Sequence, residues 1–372
     1  MVRWRKGVVT GQGRHWHGAL EVRVDITDPD GSVRPARALA YPALVGRPQT
    51  GDVVLLNTSA LDRSLGTGGY ALVVAVPDRL PPDAPQGPGH LVKARYSPLQ
   101  AMVLGVDEQE SSSHELLRDC EDLERMPVVV ADLHSALPAV LAGLRVDGAG
   151  ADRLSVAYVM TDGGALPVWF SRTVAALREQ GWLAGTVSVG QAFGGDLEAV
   201  TLHTGLLAAR HVLGADVAVV AQGPGNLGTG TRWGFSGVAA GEAVNAAAVL
   251  LGRPVAALRI SGADPRGRHH GVSHHSLTAY GRVALAAADV VVPDLDGHVQ
   301  PELAAAVREQ AAQLGAPRGH HRLVEASCDG LQDALRASPV ALSTMGRGLD
   351  QDPAPFLAAA AAGRHAAALA RA

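Results

Sequence analysis

Over the first ninety residues the apolar positions come in short runs rich in β-branched side chains, at 19–26, 36–41, 52–56 and 70–76. Turn-forming clusters separate them: Asp28-Pro29-Asp30-Gly31, Pro48-Gln49-Thr50-Gly51 and Gly66-Thr67-Gly68-Gly69. Short, closely spaced strands of this kind predict a small β-barrel. The proline-rich run 77–88 then reads as a linker or long surface loop. Strand-like pieces at 91–96 and 101–106 lead into an acidic helix near 113–125, with Ser113 in position to cap it.

From Met126 the pattern changes. Continuously apolar strands are expected at 127–131, 154–160, 186–189, 217–221, 255–260, 290–293 and 323–326. Helices are expected between and after them, at 135–144, 168–180, 198–213, 237–251, 276–288, 301–314 and 331–337. Strands apolar on both faces and joined by helical crossovers specify a mainly parallel sheet covered on both sides. The fold class is therefore α/β: a Rossmann-like, mainly parallel sheet domain preceded by a small N-terminal β-barrel. The expected division is a barrel at 1–95, a connecting segment at 96–125 and the α/β domain at 126–372. The alanine-rich tail 356–372 is interrupted by Gly363, Arg364 and His365, so it reads as a surface or partner-packing helix, not a membrane span. That reading leaves a homo-oligomer open.

Composition narrows the function classes. Of the 372 residues, 47% are hydrophobic, which argues against disorder, and the net charge of −4 gives no broad surface for nucleic acid or anionic membrane. Trp4, His15, Trp16 and His17 of the barrel could stack on bases, but aromatic residues are only 4% of the chain, so nucleic acid is an unlikely partner. Two cysteines, Cys120 and Cys328, make no metal-type pair or disulfide framework. The basic start lacks an apolar stretch behind it, which predicts no signal peptide. A cytoplasmic protein is expected.

The candidate chemistry lies in the loops that follow the strands, where open parallel sheets bind ligands. The loop after 217–221 carries Gly223, Gly225, Gly228, Thr229, Gly230 and Thr231 before Arg232. Glycines let backbone N–H groups turn toward an anion, although a tight strand–helix connection needs glycine too. The loop matches neither the P-loop nor the dinucleotide fingerprint.

The loop after 255–260 is denser, with Asp264, Arg266, Arg268, His269, His270, Ser273, His274 and His275. Two readings compete. In one, Ser273 caps the next helix and Arg266 and Arg268 hold a phosphate or carboxylate. In the other, His270 and His274, or His269 and His275, bind a divalent metal (zinc, manganese or iron) with a carboxylate such as Asp264, Asp196 or Asp162. Gly271, between His270 and His274, weakens a helical metal face. Asp162, His270 and His274 are the candidate acid–base residues. Asp196 could instead cap a helix, Glu198 suits a helix's first turn, and His134, after Asp132, is placed to line the same edge. Ser343-Thr344-Met345-Gly346-Arg347 forms a further loop of this kind. Ser171, Ser236 and Ser273 lack a nucleophile-elbow pattern.

Met160-Thr161-Asp162-Gly163-Gly164-Ala165-Leu166-Pro167, the run from Ala192 to Val200, Gly223-Pro224-Gly225 with Gly228-Thr229-Gly230-Thr231, and Ser273-His274-His275-Ser276 are long enough to be specific. So are Leu65-Gly66-Thr67-Gly68-Gly69 and Thr344-Met345-Gly346-Arg347. With these motifs the chain resembles a bacterial, largely actinobacterial family of proteins of unknown function, DUF3866. The resemblance implies a cytoplasmic bacterial protein of fixed two-part architecture and carries no reaction.

The function expected from the residues is an enzyme, a hydrolase or isomerase with or without a divalent metal, acting on a phosphorylated or otherwise anionic small molecule. The alternative is a non-catalytic nucleotide- or metabolite-sensing or scaffold protein.

Overall fold

The computed structural model describes residues 2–83, 85, 87–148 and 153–372; positions 84 and 86 of the proline-rich run fall outside the described residues. Two units emerge: Met1–Val103 with Trp169–Ala175, and Leu104–Val168 with Ala176–Ala372.

In the first unit, β1 (Trp4–Trp16), β2 (Ala19–Thr27), β3 (Val33–Ala40), β4 (Val53–Asn57) and β5 (Tyr70–Ala75) close into a barrel in the order β1-β2-β3-β5-β4. All pairs are antiparallel except β3 with β5. This is a five-stranded Greek-key barrel of the OB type. Val9, Val22, Val24, Ile26, Val54 and Leu56 fill its interior. The longest strand, β1, escapes the hydrophobic pattern because Gly7 and Gly11 take inward positions beside Val9. A Cβ on Gly7 would come within 2.9 Å of the Leu56 side chain, so the narrow interior excludes a larger residue. Trp16 is held in place, its Nε1 donating to the Trp169 carbonyl at 2.6 Å.

β6 (Leu91–Lys93) and β7 (Ala101–Val103) form a short antiparallel pair. The helix expected near 113–125 is only His114–Leu117, and the Ser113 side chain makes no cap bond. The acidic residues beyond it carry no apolar stripe to bury, which leaves tertiary packing little to stabilise.

In the second unit, eight parallel strands form one sheet. They are β8 (Pro127–Val130), β9 (Val156–Thr161), β10 (Gly185–Ser188), β11 (Leu197–Glu198), β12 (Val217–Gln222), β13 (Arg253–Ala257), β16 (Asp289–Asp294) and β17 (Arg322–Ser327). A small antiparallel pair, β14 (Ile260–Ser261) and β15 (Gly271–Val272), lies between β13 and β16 in the chain. The sheet order is β11-β10-β9-β12-β8-β13-β16-β17. All seven expected strands are present. The edge strand β11 occupies the start of an expected helix, which begins instead at Leu202 with Thr201 as its cap, accepting from Thr204 N at 3.2 Å. Asp196 therefore caps no helix. The helix expected at 276–288 is His274–Thr278 followed by a π-turn, Ala279–Val283.

Helices Leu137–Arg145, Leu331–Arg336 and Ala354–Ala370 pack together on one face of the sheet, and Leu202–His211 and Ala239–Val249 on the other. The chain leaving β8 enters the first face, whereas that leaving its neighbour β12 enters the second. Where successive connections part to opposite faces, a crevice opens at the carboxyl ends of the strands.

The alanine-rich helix corrects its surface reading: Phe356 through Gly363 are all buried, against Leu137–Arg145 and the sheet. A helix of small residues lets backbones approach closely, so uniform alanine marks a tight crossing here. No helix among the described residues is long and apolar enough to cross a membrane.

Candidate functional site

Asp132, two residues past β8, is buried at the mouth of the crevice. Its Oδ2 lies 3.4 Å from Arg259 NH1 and 3.4 Å from His275 Nδ1. Burial alone would raise this carboxyl, but the His275 hydrogen bond and the Arg259 charge outweigh it and hold the group below the usual carboxylate range. Arg259 follows β13 and is fixed by its backbone, which donates to Ser276 Oγ at 2.9 Å and accepts from Ser273 N at 2.8 Å. Its NH1 also meets His275 Nδ1 at 3.0 Å.

Beside this triad the His-rich loop folds back on itself. Ser273 accepts from His275 N at 3.2 Å and meets His269 Nδ1 at 2.7 Å. The His275 ring stacks on Phe235 at 3.7 Å between centroids and 7° between planes. One ring nitrogen each of His269, His274 and His275 lies within 4.8 Å of the other two. Burial, then the charges of Arg259 and Arg266, pushes His269 down to about 3. Burial and the neighbouring His275 push His274 down to about 4. Both rings are neutral at pH 7, and His274 Nε2 is buried without a hydrogen-bond partner. A neutral imidazole with a ring nitrogen free of hydrogen bonds can act as a metal donor. With Nδ1 of His269 engaged by Ser273, its Nε2 is the nitrogen left to bind a metal. In this arrangement His275 Nδ1 accepts from Arg259 NH1 at 3.0 Å, so metal binding through its Nε2 would require Arg259 to release Nδ1 to a proton shared with Asp132. Tetrahedral zinc places ligand nitrogens about 3.4 Å apart, so binding would draw the three rings together by roughly 1 Å.

The other sequence candidates lie apart from these rings. His270 is exposed and lines a separate cleft with His298 and Asp352. Asp264 is held by Arg266, accepting from its Nε at 2.9 Å and NH2 at 2.8 Å. Asp196 is bound by Thr186 and Arg178 in the neighbourhood of the edge strand. Asp162 is exposed and accepts from Gln191 N at 2.9 Å. Gly228, Thr229, Gly230 and Thr231 belong to an exposed hairpin whose N–H groups are partly used internally, Leu227 N with Ser236 Oγ and Thr229 N with Gly234 O, while Gly223 is buried and Gly225 exposed in the turn before it. Arg268 approaches its tip at Gly230. Gly164 and Gly223 serve packing: a Cβ on Gly164 would lie 2.1 Å from the Gly223 carbonyl.

Three residues at the heart of the site carried no motif. Arg259 and Phe235 stand as single residues in otherwise ordinary contexts. Gln222 ends β12, donates to the Asp132 carbonyl at 2.7 Å and leaves its buried Oε1 without a partner. Asp132 itself had a usable signal, a carboxylate just past the first strand of a parallel sheet. His134 turns away from the rings, its Nδ1 meeting Tyr158 Oη at 3.0 Å, and burial pushes it down to about 4. Cys328 is buried, which pushes its thiol up to about 12 and leaves it unreactive.

A family described as a protein of unknown function, DUF3866, matches residues 37–363. No curated protein and no solved structure matches the chain.

Proposed function

The chain belongs to the DUF3866 family of proteins of unknown function, so its activity has to be read from the site, and we propose that His269, His274 and His275 form the metal centre of a hydrolase acting on an anionic small molecule. The observation that carries this is the convergence of three imidazole nitrogens within 4.8 Å at the carboxyl edge of a parallel sheet. Three neutral nitrogen donors suit zinc best, with manganese and iron as the other divalent candidates. Such a centre would leave a coordination position for water and would supply a nucleophile at neutral pH. Asp132 and Arg259 together orient His275, and Arg259 and Arg268 give the surroundings positive charge for an anionic substrate.

Elemental analysis of protein purified without chelator tests this reading. One equivalent of metal is expected in the wild type and loss of most of it in His274→Ala, whose ring makes no Nε2 hydrogen bond to confuse the result. Asp132→Asn keeps the shape and weakens the orienting contact, and should lower metal affinity about 10–100-fold. Equal metal content in all three proteins would sink the assignment. A metal-free wild type that retains a phosphate-bearing adduct would replace it with the sensing or scaffold reading.

A further inference from the structure

A second pocket opens between the carboxyl ends of β8 and β13. It shares Asp132 and Arg259 with the histidine cluster but is lined by none of its imidazoles. Leu133, Ala136, Leu258, Met345 and Phe356 give it an apolar wall. Arg347 enters from the hairpin that pairs Ser343–Thr344 with Arg347–Gly348.

Arg347 keeps one donor without an acceptor. Its Nε is buried and has no hydrogen-bond partner. Its NH2 donates to Asp264 Oδ2, which also lines the pocket, at a long 3.4 Å, and Asp352 Oδ2 lies 3.6 Å from Nε. Both are engaged elsewhere. Asp264 is clasped by Arg266, and Asp352 accepts from Ser261 Oγ at 2.5 Å, Gly262 N at 3.0 Å and Ala263 N at 3.3 Å. A buried guanidinium nitrogen left without an acceptor is costly unless an acceptor arrives. The hairpin turn is also unusual. Met345 takes a left-handed φ of 49°, ahead of Gly346 at 78°, and its apolar side chain stays half exposed while lining the pocket.

We propose that this pocket binds a small molecule with one anionic group, a carboxylate or phosphate monoester, held by Arg347, and a short apolar body laid against Leu133, Met345 and Phe356. The assignment goes beyond the histidine reading and does not need the metal.

Isothermal titration of the full-length protein with butyrate and with butyl phosphate tests it, since four carbons match a short apolar wall. Binding of at least one is expected, and which one distinguishes carboxylate from phosphate ligands. Arg347→Gln should weaken it at least tenfold. Ala136→Leu, which fills the pocket from a partly exposed position and leaves Arg347 in place, should abolish it. Metal content should be unchanged in Ala136→Leu, so the two assignments fail separately. If Arg347→Gln does not fold, Ala136→Leu decides alone. Absence of binding by the wild type to either probe, or binding that survives Ala136→Leu unchanged, overturns the proposal.

Discussion

Gly143→Val is expected to destabilise the α/β unit by about 3 kcal/mol or more and to release the helix Ala354–Ala370 from the sheet. A Cβ on Gly143 would lie 1.8 Å from the Ala360 carbonyl oxygen, and one on Gly363 would lie 2.1 Å from that of Val140. Both obstacles are backbone, which no rotamer change can move aside. The helices must separate by well over an ångström, and the buried run Phe356–Gly363 then loses contact with Leu137–Arg145 along its length. Urea unfolding followed by far-UV circular dichroism measures the loss. Limited proteolysis should cut the tail of the variant and spare that of the wild type. A midpoint equal to the wild type's would mean that the two helices do not cross in this way.

Acid should unfold the same unit through His134. Its ring is buried against Tyr158 and titrates at about 4, whereas in an unfolded chain it titrates at about 6.5. Because the folded value is the lower one, the unfolded state takes up the proton first. The stabilising contribution is complete above about pH 6.5 and disappears as the pH falls through 4. The shift corresponds to roughly 3 kcal/mol, lost over that window. Chemical denaturation at half-unit pH steps measures the slope. His134→Gln, which cannot titrate, should flatten it by about one proton between pH 4 and 6.5. An unchanged slope in the variant would show that His134 is already accessible to protons in the native state.

Much of the α/β architecture was legible because its strands are apolar on both faces. Val128–Val130 and Val217–Ala221 leave no other reading, and the strand order then decides which loops meet. What escaped detection was polar or small. Strand β1 turns glycines inward, so it lacks a hydrophobic period. Edge strand β11 spans two residues, too few for any period to show. The density of histidines at 269–275 marked a loop correctly but not its internal geometry. The ring of His270 is exposed whereas His269 and His275 are buried, and the difference arises from a 3₁₀ turn at Gly267–His269 and the glycine at 271, neither of which follows a helical period. Asp132 and Arg259 are 127 positions apart and meet only because β8 and β13 are neighbours. Single residues of that kind carry no local pattern, and a carboxylate or a guanidinium becomes informative only when its partner is known.

The position of the last helix bears on how the chain is made. The closed barrel needs only residues between Trp4 and Ala75, so it can form while most of the protein is still unsynthesised. The α/β unit has no such freedom, because Ala354–Ala370 packs against β8, β13 and β16 at the middle of the sheet. At about 5–20 residues per second, the ribosome needs tens of seconds to reach that helix after β8 has emerged. For that interval the cover of an apolar face of the sheet is not yet made, so the α/β unit can complete its core only once that helix has emerged.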